Sequence, residues 1–545
     1  MFHRSSSLVF RVLCCGLVGS IALATTASAA TGDLDPGFSG DGIATATGGP
    51  VNATAVAVQP DGMTVVAGTG AFDDGTPSKV GTYVARYTLA GELDSNFGNG
   101  GIAIVNTAPG NEVVRGVAVD ATGRILVSGY GTSVDSSDEA DVAVLRLTAK
   151  GVPDATFGGG DGIATVDMGN HDRAGTIAVS GNRIFVAASQ DDGGNFANEW
   201  TLLALDNSGA LDHAFSGDGK AEVPTTEIST FDSVRDLAVQ KDGKIVLAGT
   251  AGTAFATARF TKQGALDPKW DGDGVATATI GVGGAGFHMA LQDNGKVVVA
   301  GYATQTGHPD SDFAAARFTT TGAPDASFGT GGRVVVNISG TANDRALDVA
   351  LAADGKIVLG GFTNPPGGMD FATVRLNWNG TLDTSFSGDG LVVTNTLAVQ
   401  NEQIEAVGVL PDDRVVGVGE NLNGWAIVAY TGTANTLLSV ANTNVTEPDS
   451  GTVNVAFKIK LVGPTPSTVT VAYATKDGTA TAPGDYTART GTVTFAPGEK
   501  TKTVTVPVVG DTVREPNEKL SLVLSLPTNA GLAKATAAGI ITNDD

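Results

Sequence analysis

The sequence predicts an all-β protein, a seven-bladed β-propeller followed by an immunoglobulin-like β-sandwich. Three observations support this prediction. A short motif returns seven times at a nearly constant spacing between residues 34 and 390. Alternating apolar and polar residues, joined by turn-forming residues, fill each interval. After residue 437 the repeat has stopped, and about seven further short strands follow in the remaining segment.

The repeated motif has the form Leu-Asp-x-x-Phe, or a close variant, followed by a glycine-rich turn. Successive copies begin 55 to 60 residues apart. They start at Leu34, Leu93, Pro153, Leu211, Leu266, Pro324 and Leu382. A fixed period of this kind indicates a repeat architecture, in which each unit is one supersecondary element.

Each interval contains a β-hairpin and further strand segments. The stretch AVAVQPDGMTVVAG (residues 55–68) shows the hairpin, with two alternating apolar runs joined by Pro-Asp-Gly. A strand such as YVARYT (83–88) follows, and with the strand that begins at DGIATA each unit holds four strands. Four-stranded units predict a β-propeller, which avoids long free edges by radial repetition. An open solenoid is the alternative, and the lack of evident polar end-caps favours the closed ring.

In several copies the strand equivalent to YVARYT has the form FAxxR. This strand, the LDxxFG…DG motif and the Asp-Gly hairpin together resemble the delta-60 repeat family of bacterial propeller-like proteins. The resemblance covers about residues 31–433. It implies a propeller fold, and no general activity comes with it. The period is longer than the roughly 40–50 residues of WD40 and kelch units.

Two polar positions recur within the repeat. The Asp of the motif occurs in all seven copies, as Asp35, Asp94, Asp154, Asp212, Asp267, Asp325 and Asp383. An Arg on the last strand of the repeat occurs in five copies, as Arg86, Arg146, Arg259, Arg317 and Arg375, whereas Ala204 and Ala429 replace it in the other two. A catalytic site would need one unusual copy, so we expect the Asp to cap a turn and the Arg to pair locally and hold the blades in register. The Ser-Gly-Asp-Gly turns lack the ligand pattern of an EF-hand and predict turns with positive φ.

Antiparallel strand order places the variable connections of the repeat on one face of the propeller. These connections are acidic and include Asp73, Asp74, Asp135, Asp138, Glu139, Asp191, Asp192, Asp310 and Asp312. Variable loops on a rigid scaffold are common binding sites, so an extracellular protein or glycan is the predicted partner of this face. Solvated acidic loops without a ligand are the alternative interpretation.

The C-terminal segment, residues 437–545, has the period-2 patterning and turn signals of a β-sandwich. It resembles the Calx-beta domain, the calcium-binding module of sodium–calcium exchangers that also occurs in many secreted bacterial proteins. The stretches DGTATAPGDYT, GTVTFAPGE, DTVREPNE and ITNDD carry this resemblance. In that family calcium lies at one end of the sandwich, held by carboxylates from several loops.

The resemblance implies that Ca²⁺ is the cofactor and that seven acids are its ligands. These are Glu447, Asp485, Asp511, Glu515, Glu518, Asp544 and Asp545. Calcium takes about six to eight oxygen ligands and tolerates irregular geometry, so separate loops can share one ion. Gly510 stands where the family's strongest binders have an acid, and Asn543 replaces another. These departures predict weaker binding of one or two ions, and a degenerate copy that binds little calcium is the alternative.

The first thirty residues predict a secretory signal peptide. Arg4 and Arg11 form its positive region, a short apolar run follows, and residues 27–29 provide the small side chains of a cleavage site. Both cysteines lie within this segment, so the mature chain is expected to use no disulfide. No later apolar run is long enough to span a membrane. We therefore expect a bacterial protein that is secreted or held at the cell surface.

The charge balance argues against two classes of partner. The chain has 57 acidic and 33 basic residues and a net charge of −24. Nearly all of the excess lies in the repeat region, because the segment from residue 431 has nine basic and ten acidic residues. So acidic a surface argues against nucleic acid and anionic membranes as partners.

Catalytic motifs are scarce. The four histidines after residue 30 form no metal-binding spacing, and the sequence has no nucleophile elbow or phosphate-binding loop. The sequence therefore favours a non-enzymatic binding or adhesion protein. A glycoside-type hydrolase with paired acids in the propeller is one alternative, and a structural spacer of a surface layer is another. Convergent acids with raised pKa values in a central pocket would favour the hydrolase, whereas an apolar or glycine-lined channel would favour the binding protein.

Overall fold

The computed structural model describes residues 31–45, 51–72, 79–107, 112–132, 140–169, 171–191, 198–224, 233–366, 368–396, 402–421, 424–432, 437–462, 468–496, 499–528 and 530–543. All regular secondary structure within these ranges is β-strand. None of the described residues belongs to a helix that could cross a membrane. The predicted signal peptide lies outside the described residues.

The strands up to residue 430 fall into antiparallel groups. β1 (Ile43–Thr45) comes first in the chain. The next three groups are β2 (Val51–Val58), β3 (Thr64–Phe72), β4 (Lys79–Tyr87) and β5 (Ile102–Val105); β6 (Glu112–Val119), β7 (Ile125–Thr132), β8 (Ala140–Leu147) and β9 (Ile163–Val166); and β10 (His171–Ser180), β11 (Arg183–Asp191), β12 (Asn198–Leu205) and β13 (Lys220–Glu222).

The remaining groups follow the same order. They are β14 (Ser233–Val239), β15 (Ile245–Ala251), β16 (Ala254–Phe260) and β17 (Val275–Ala278); β18 (Gly283–Leu291), β19 (Val297–Gln305), β20 (His308–Phe318) and β21 (Arg333–Val336); β22 (Asn343–Leu351), β23 (Ile357–Asn364), β24 (Asp370–Leu376) and β25 (Leu391–Thr394); and β26 (Gln403–Val409), β27 (Val415–Asn421) and β28 (Gly424–Tyr430).

Repeated four-stranded sheets of this kind form a β-propeller, which confirms the predicted fold class. Within each group, neighbours in sequence are neighbours in the sheet. β6 to β13 form one eight-stranded sheet, because a single parallel pair, His171 with Ala140, joins β10 to β8. For this reason the count of seven blades stays a prediction.

The strand that follows the glycine-rich turn is the fourth strand of its group, as the predicted four-stranded unit requires. β5 pairs with β4, the strand before the turn, and closes the sheet of the preceding hairpin. The first strand of the chain follows the same rule: in β1, Ile43 pairs with Val428 of β28. β1 thus supplies the fourth strand of the group β26–β28, and the two ends of the repeat region share one sheet.

The recurring Asp and Arg pair as predicted. Asp94 Oδ1 accepts the N–H of Asn96 at 3.0 Å, and its Oδ2 accepts Arg86 Nε at 2.9 Å. The same guanidinium lies 4.8 Å from the ring centre of Phe97 and donates to the carbonyl of Ala149 in the next repeat at 2.7 Å. The equivalent pairs are Arg146–Asp154, Arg259–Asp267, Arg317–Asp325 and Arg375–Asp383. Each pair therefore fixes its own turn, and Arg86 also binds the neighbouring repeat.

The described residues from 437 onward form two packed sheets. Their strands are β29 (Leu437–Val440), β30 (Thr443–Thr446), β31 (Gly451–Val462), β32 (Val469–Lys476), β33 (Thr490–Phe495), β34 (Thr501–Gly510), β35 (Glu518–Thr528), β36 (Gly531–Lys534) and β37 (Thr536–Thr542). One sheet has the order β34-β31-β29-β36 and the other β30-β37-β35-β32-β33. Phe457, Val506 and Leu522 are fully buried between them. The sandwich is confirmed.

Candidate metal site and central cavity

One end of the sandwich carries the predicted acidic residues. β30 and β37 are parallel, so both end at the same edge of their sheet. β35 is antiparallel to β37 and to β32, so it starts where those strands end. Glu447 follows β30, Asp485 lies between β32 and β33, and Glu518 is the first residue of β35. Strand direction alone therefore brings acids that are distant in sequence to one end.

Asp485, Glu515 and Glu518 converge at this end. One carboxylate oxygen from each lies within 4.8 Å of those of the other two. Burial, together with the negative charges of Asp485, Glu515 and Glu447, raises the pKa of Glu518 to about 7. Asp485 is held in place because the N–H of Thr481 donates to its Oδ2 at 2.7 Å. The arrangement concentrates negative charge that a cation would stabilise.

The other predicted ligands differ in their positions. Glu447 is buried, its N–H donates to Thr542 O at 2.9 Å, and its charge acts on Glu518. Asp511 is exposed, and its Oδ1 accepts the N–H of Val513 at 2.7 Å, so it caps the turn after β34 and is not one of the three converging acids. Asp544 and Asp545 lie outside the described residues. The identity of all seven as ligands stays a prediction.

The structure gives a physical reason for one departure from the family pattern. A Cβ atom at Gly510 would lie 1.9 Å from the carbonyl oxygen of Pro448, so any side chain here would require the backbone to move. Asn543 has a different role, because its Nδ2 donates to Val513 O at 3.2 Å and its N–H donates to Asn517 Oδ1 at 3.3 Å. Asn543 thereby ties the end of β37 to the acidic loop.

Carboxylate oxygens on separate loops suit a hard divalent cation. Calcium accepts irregular sets of oxygen ligands, and monodentate or bidentate carboxylates supply most of them. The three convergent acids, with Glu447 beside them, offer such a set. The donor chemistry of this end therefore fits calcium.

Only part of the predicted acidic face can be located. Asp73, Asp74, Asp135, Asp138, Glu139 and Asp192 lie outside the described residues, and Asp191 ends strand β11. The placement of Asp310 and Asp312 in a loop is wrong, because both lie in β20. A two-residue turn with a positive φ of 82° at Gly307 extends the hairpin that contains them. Asp312 is buried and accepts Asn337 Nδ2 at 2.7 Å.

The structure also shows a cavity whose lining residues the sequence did not indicate. In the first strand of every group the pairing register shifts at the same place. Residues at these seven shifts all line one cavity of about 150 Å³ and are called the bulge residues below: Thr54, Arg115, Gly175, Arg235, Phe287, Leu347 and Glu405. Because all seven first strands contribute, the cavity lies at the centre that they surround.

The lining of the central cavity fits neither of the two predicted types. It contains Arg115, Arg173 and Arg235, and Glu405 is the single carboxylate among the described lining residues. Burial and the charge of Glu420 raise the pKa of Glu405, and Arg115 partly offsets this. A hydrolase of the two-carboxylate type would need a second acid here, and an apolar or glycine-lined channel would not contain three arginines.

A second group of acids, Asp141, Asp167 and Asp172, lies beside β10. Asp172 is buried, its Oδ2 accepts the N–H of Met168 at 2.5 Å, and Asp167 Oδ1 accepts the N–H of Gly169 at 2.8 Å. Buried Asp344 accepts the N–H of Ile338 in the same way at 2.7 Å. Asp167, Asp172 and Asp344 therefore cap the connections between repeats.

Fold and site together define a propeller joined to a sandwich with an acidic end. Residues 433–545 match the family described as the Calx-beta domain. Residues 59–97, 121–157, 240–269, 292–328 and 352–386 match the family described as "Domain of unknown function (DUF5122) beta-propeller". The chain therefore contains a Calx-beta domain and DUF5122 propeller repeats, which confirms both resemblances.

Solved structures resemble each part of the chain. The apo form of the Calx CBD1 domain is 27% identical over 20% of this chain and 98% of its own, with a TM-score of 0.18. The acylaminoacyl peptidase of Pyrococcus horikoshii is 10% identical over 75% of this chain and 58% of its own, with a TM-score of 0.37. The α-L-arabinofuranosidase of Fusarium graminearum is 10% identical over 64% of this chain and 94% of its own, with a TM-score of 0.33. Among curated proteins the comparison finds no match.

Proposed function

We propose that this chain is an exported, non-enzymatic binding or adhesion protein that acts outside the bacterial cytoplasm. Its Calx-beta domain, residues 437–545, binds calcium, and its propeller, residues 31–433, holds an extracellular protein or glycan on the face with the variable connections. The observation that carries the calcium assignment is the convergence of Asp485, Glu515 and Glu518 within 4.8 Å. The match of residues 433–545 to the Calx-beta domain supports it.

Calcium would act on the structure through these charges. Without a cation, burial and the like charges of Asp485, Glu515 and Glu447 raise the pKa of Glu518 to about 7. With calcium bound, all of these carboxylates can ionise and share the ion. The ion would therefore join the acidic loop to the loop that carries Asp485 and stiffen this end of the sandwich. Asp511, Asp544 and Asp545 complete the proposed ligand set.

Calcium titration of the full chain tests this proposal. A ligand that binds only the folded state raises its stability by RT ln(1 + [L]/Kd), about 2.7 kcal/mol at a hundredfold excess over Kd. We expect calcium to raise the melting temperature of the chelator-treated protein. The double variant D485N/E515Q should lose this shift. E499Q is the matched control, because Glu499 is an acid of the same domain that pairs with Lys502 instead. An equal shift in all three proteins, or none up to millimolar calcium, would contradict the proposal.

Two alternatives remain for the propeller. The first is an extracellular hydrolase, and its candidate acid among the described residues of the central cavity is Glu405, which has a raised pKa. Activity on a panel of glycosides that disappears in E405Q would favour this alternative. The second is a structural spacer of a surface layer, and assembly of the purified protein into sheets in the presence of calcium would favour it.

A further inference from the structure

The central cavity is positively charged within a strongly acidic protein. Three arginines and one glutamate are the charged side chains that line it, with His288 beside them, while the chain as a whole carries a net charge of −24. His288 has acidic neighbours of its own, because its Nδ1 lies 3.5 Å from Asp348 Oδ1 and 3.9 Å from Asp236 Oδ2. The positive charge of the cavity is therefore a local property that the sequence average conceals.

Two of the arginines are oriented by aromatic rings. The guanidinium of Arg235 lies 4.9 Å from the ring centre of Phe287. The guanidinium of Arg115 lies 5.8 Å from the ring centre of Tyr130, and its Nη2 donates to the tyrosine hydroxyl at 3.3 Å. A ring face orients a guanidinium by cation–π attraction without neutralising its charge. Arg115 and Arg235 are thus positioned, and their charges stay available.

Most donors of these arginines are unused. Among the residues that the structure describes, Arg173 and Arg235 donate no side-chain hydrogen bond and form no ion pair. Both face the solvent of the cavity. Partial loss of contact with water inside the cavity lowers the pKa of Arg235. The neighbouring charge of Arg115 lowers it further, and the charge of Glu405 partly offsets this. Like charges brought together in this way destabilise the folded state unless an anion neutralises them.

We propose that the central cavity binds a small organic carboxylate through Arg173 and Arg235, with Arg115 completing the positive lining. A planar guanidinium matches the two oxygens of a carboxylate in a bidentate pair. A monoanion suits the cavity better than a dianion, because Glu405 lies in the same lining and repels additional negative charge. At about 150 Å³ the cavity has room for a molecule of sugar size, since one water needs roughly 10–15 Å³ of such space.

This site is independent of the proposed calcium site and of the proposed partner on the variable face. The bulge residues come from all seven first strands of the propeller, whereas the convergent acids lie after residue 437. Failure of one proposal therefore leaves the other standing. The two can be tested on the same protein sample, with chelator present in the cavity experiment.

The test compares a carboxylate with an uncharged sugar of the same shape. Isothermal titration of the full chain with D-galacturonate should show binding, and titration with D-galactose should show none, because only the first offers a carboxylate. R173Q and R235Q should each weaken galacturonate binding at least about tenfold, the usual effect of losing one charge-assisted bond. R345Q is the control, because Arg345 also stacks on a ring, that of Tyr302, but does not line the cavity.

Folding of the variants can be checked separately. Arg173 has no side-chain partner among the described residues, so R173Q should keep the melting temperature of the unliganded protein. R235K retains the charge but loses the planar fork, so it should bind more weakly than the parent and more tightly than R235Q. Binding that survives both R173Q and R235Q would overturn the proposal. Equal binding of galactose would also overturn it. The same holds if inorganic phosphate binds and galacturonate, acetate and benzoate do not.

Discussion

Arg414 Nη1 donates a hydrogen bond to Asp35 Oδ2 at 2.9 Å, across 379 residues of sequence. The same nitrogen donates to the carbonyl of Leu89 at 2.9 Å, and Arg414 Nε donates to Asp412 Oδ2 at 2.8 Å. One side chain thus contacts the first motif copy, the following repeat and its own hairpin turn. Together with the pairing of β1 and β28, it joins the first and last repeats.

Removing residues 31–45 should open this junction. Without β1 the backbone groups of β28 become a free strand edge, and such edges pair with other chains. We expect a lower melting temperature of the propeller and self-association at micromolar concentration. Differential scanning calorimetry and light scattering would measure these two effects. A synthetic peptide of residues 31–45 should reverse both, and a truncated protein that stays monomeric with the parent melting temperature would contradict the pairing.

The two motif copies without the usual arginine recruit another one. Ala204 stands where the repeat normally has Arg, and Arg183 Nε from β11 donates to Asp212 Oδ2 at 2.5 Å in its place. In a normal copy the position equivalent to Arg183 holds Lys244, which lies 3.1 Å from Asp267 Oδ2 beside Arg259. Asp212 therefore depends on one cation, whereas Asp267 has two.

This difference predicts unequal effects of removing the two side chains. R183A should lower the free energy of unfolding by about 1–3 kcal/mol, because it leaves Asp212 without its cation. K244A should cost about 0–1 kcal/mol, since Arg259 remains on Asp267. The double variant R183K/A204R copies the normal arrangement and should recover most of the stability lost in R183A. Urea unfolding of the four proteins provides the comparison, and equal losses in R183A and K244A would contradict the prediction.

Glu518 should make the stability of the calcium-free protein depend on pH. Its pKa is raised from 4.5 to about 7 in the folded state, first by burial and then by the neighbouring acids. Between these two pH values the folded protein binds more protons than the unfolded chain, so stability falls as pH rises. We expect the melting temperature of the sandwich in chelator to decrease from pH 5 to pH 7.

Calcium should reverse this trend, because the ion binds the ionised carboxylates and competes with the proton. With excess calcium the melting temperature should rise over the same pH range. E518Q carries no titrating group and should show a flatter profile in chelator. A falling profile of equal slope in E518Q would assign the pH dependence to another residue.

Sequence reasoning found the repeat and its Asp–Arg pairs because these positions recur, and recurrence is visible in one sequence. It missed the pairing of Arg183 and Arg414 with the motif Asp because another strand position supplies this Arg in the other five copies. Both arginines nevertheless follow a hairpin turn where four other copies have Lys or Arg. It missed the central arginines for a related reason. The bulge residues occupy one aligned position, but the residue type there varies from Thr to Arg to Glu. Only the strand register shows that all seven residues line one cavity.

The predicted metal ligands illustrate a different limit. Family resemblance located the acids, and the strand directions then brought three of them together. The resemblance could not show that Gly510 is required by the closeness of Pro448 O, because that contact depends on how β34 lies against the residues before β31. The two departures from the family pattern therefore differ in kind. Gly510 is fixed by backbone packing, whereas Asn543 can be exchanged.

G510D and N543D should accordingly differ in their effect on calcium binding, although both restore an acid of the family pattern. A Cβ at position 510 meets Pro448 O at 1.9 Å, so G510D should lower the melting temperature and add no calcium affinity. Asn543 contacts the acidic loop through Val513 O at 3.2 Å, so N543D places another carboxylate beside that loop. It should destabilise the calcium-free protein and tighten calcium binding, as a further charged ligand does in calcium sites generally.

Calorimetric titration and melting curves with and without chelator would separate these outcomes. G510A is the control for G510D, because alanine adds the Cβ without the charge and should show the same loss of stability. N543S removes the amide without adding a charge, so it should not tighten calcium binding. Tighter binding by G510D would mean that the backbone beside Pro448 moves aside when calcium binds. Tighter binding by N543S as well as N543D would mean that the tie from Asn543 to Val513 opposes calcium, and the added charge would then not be the cause.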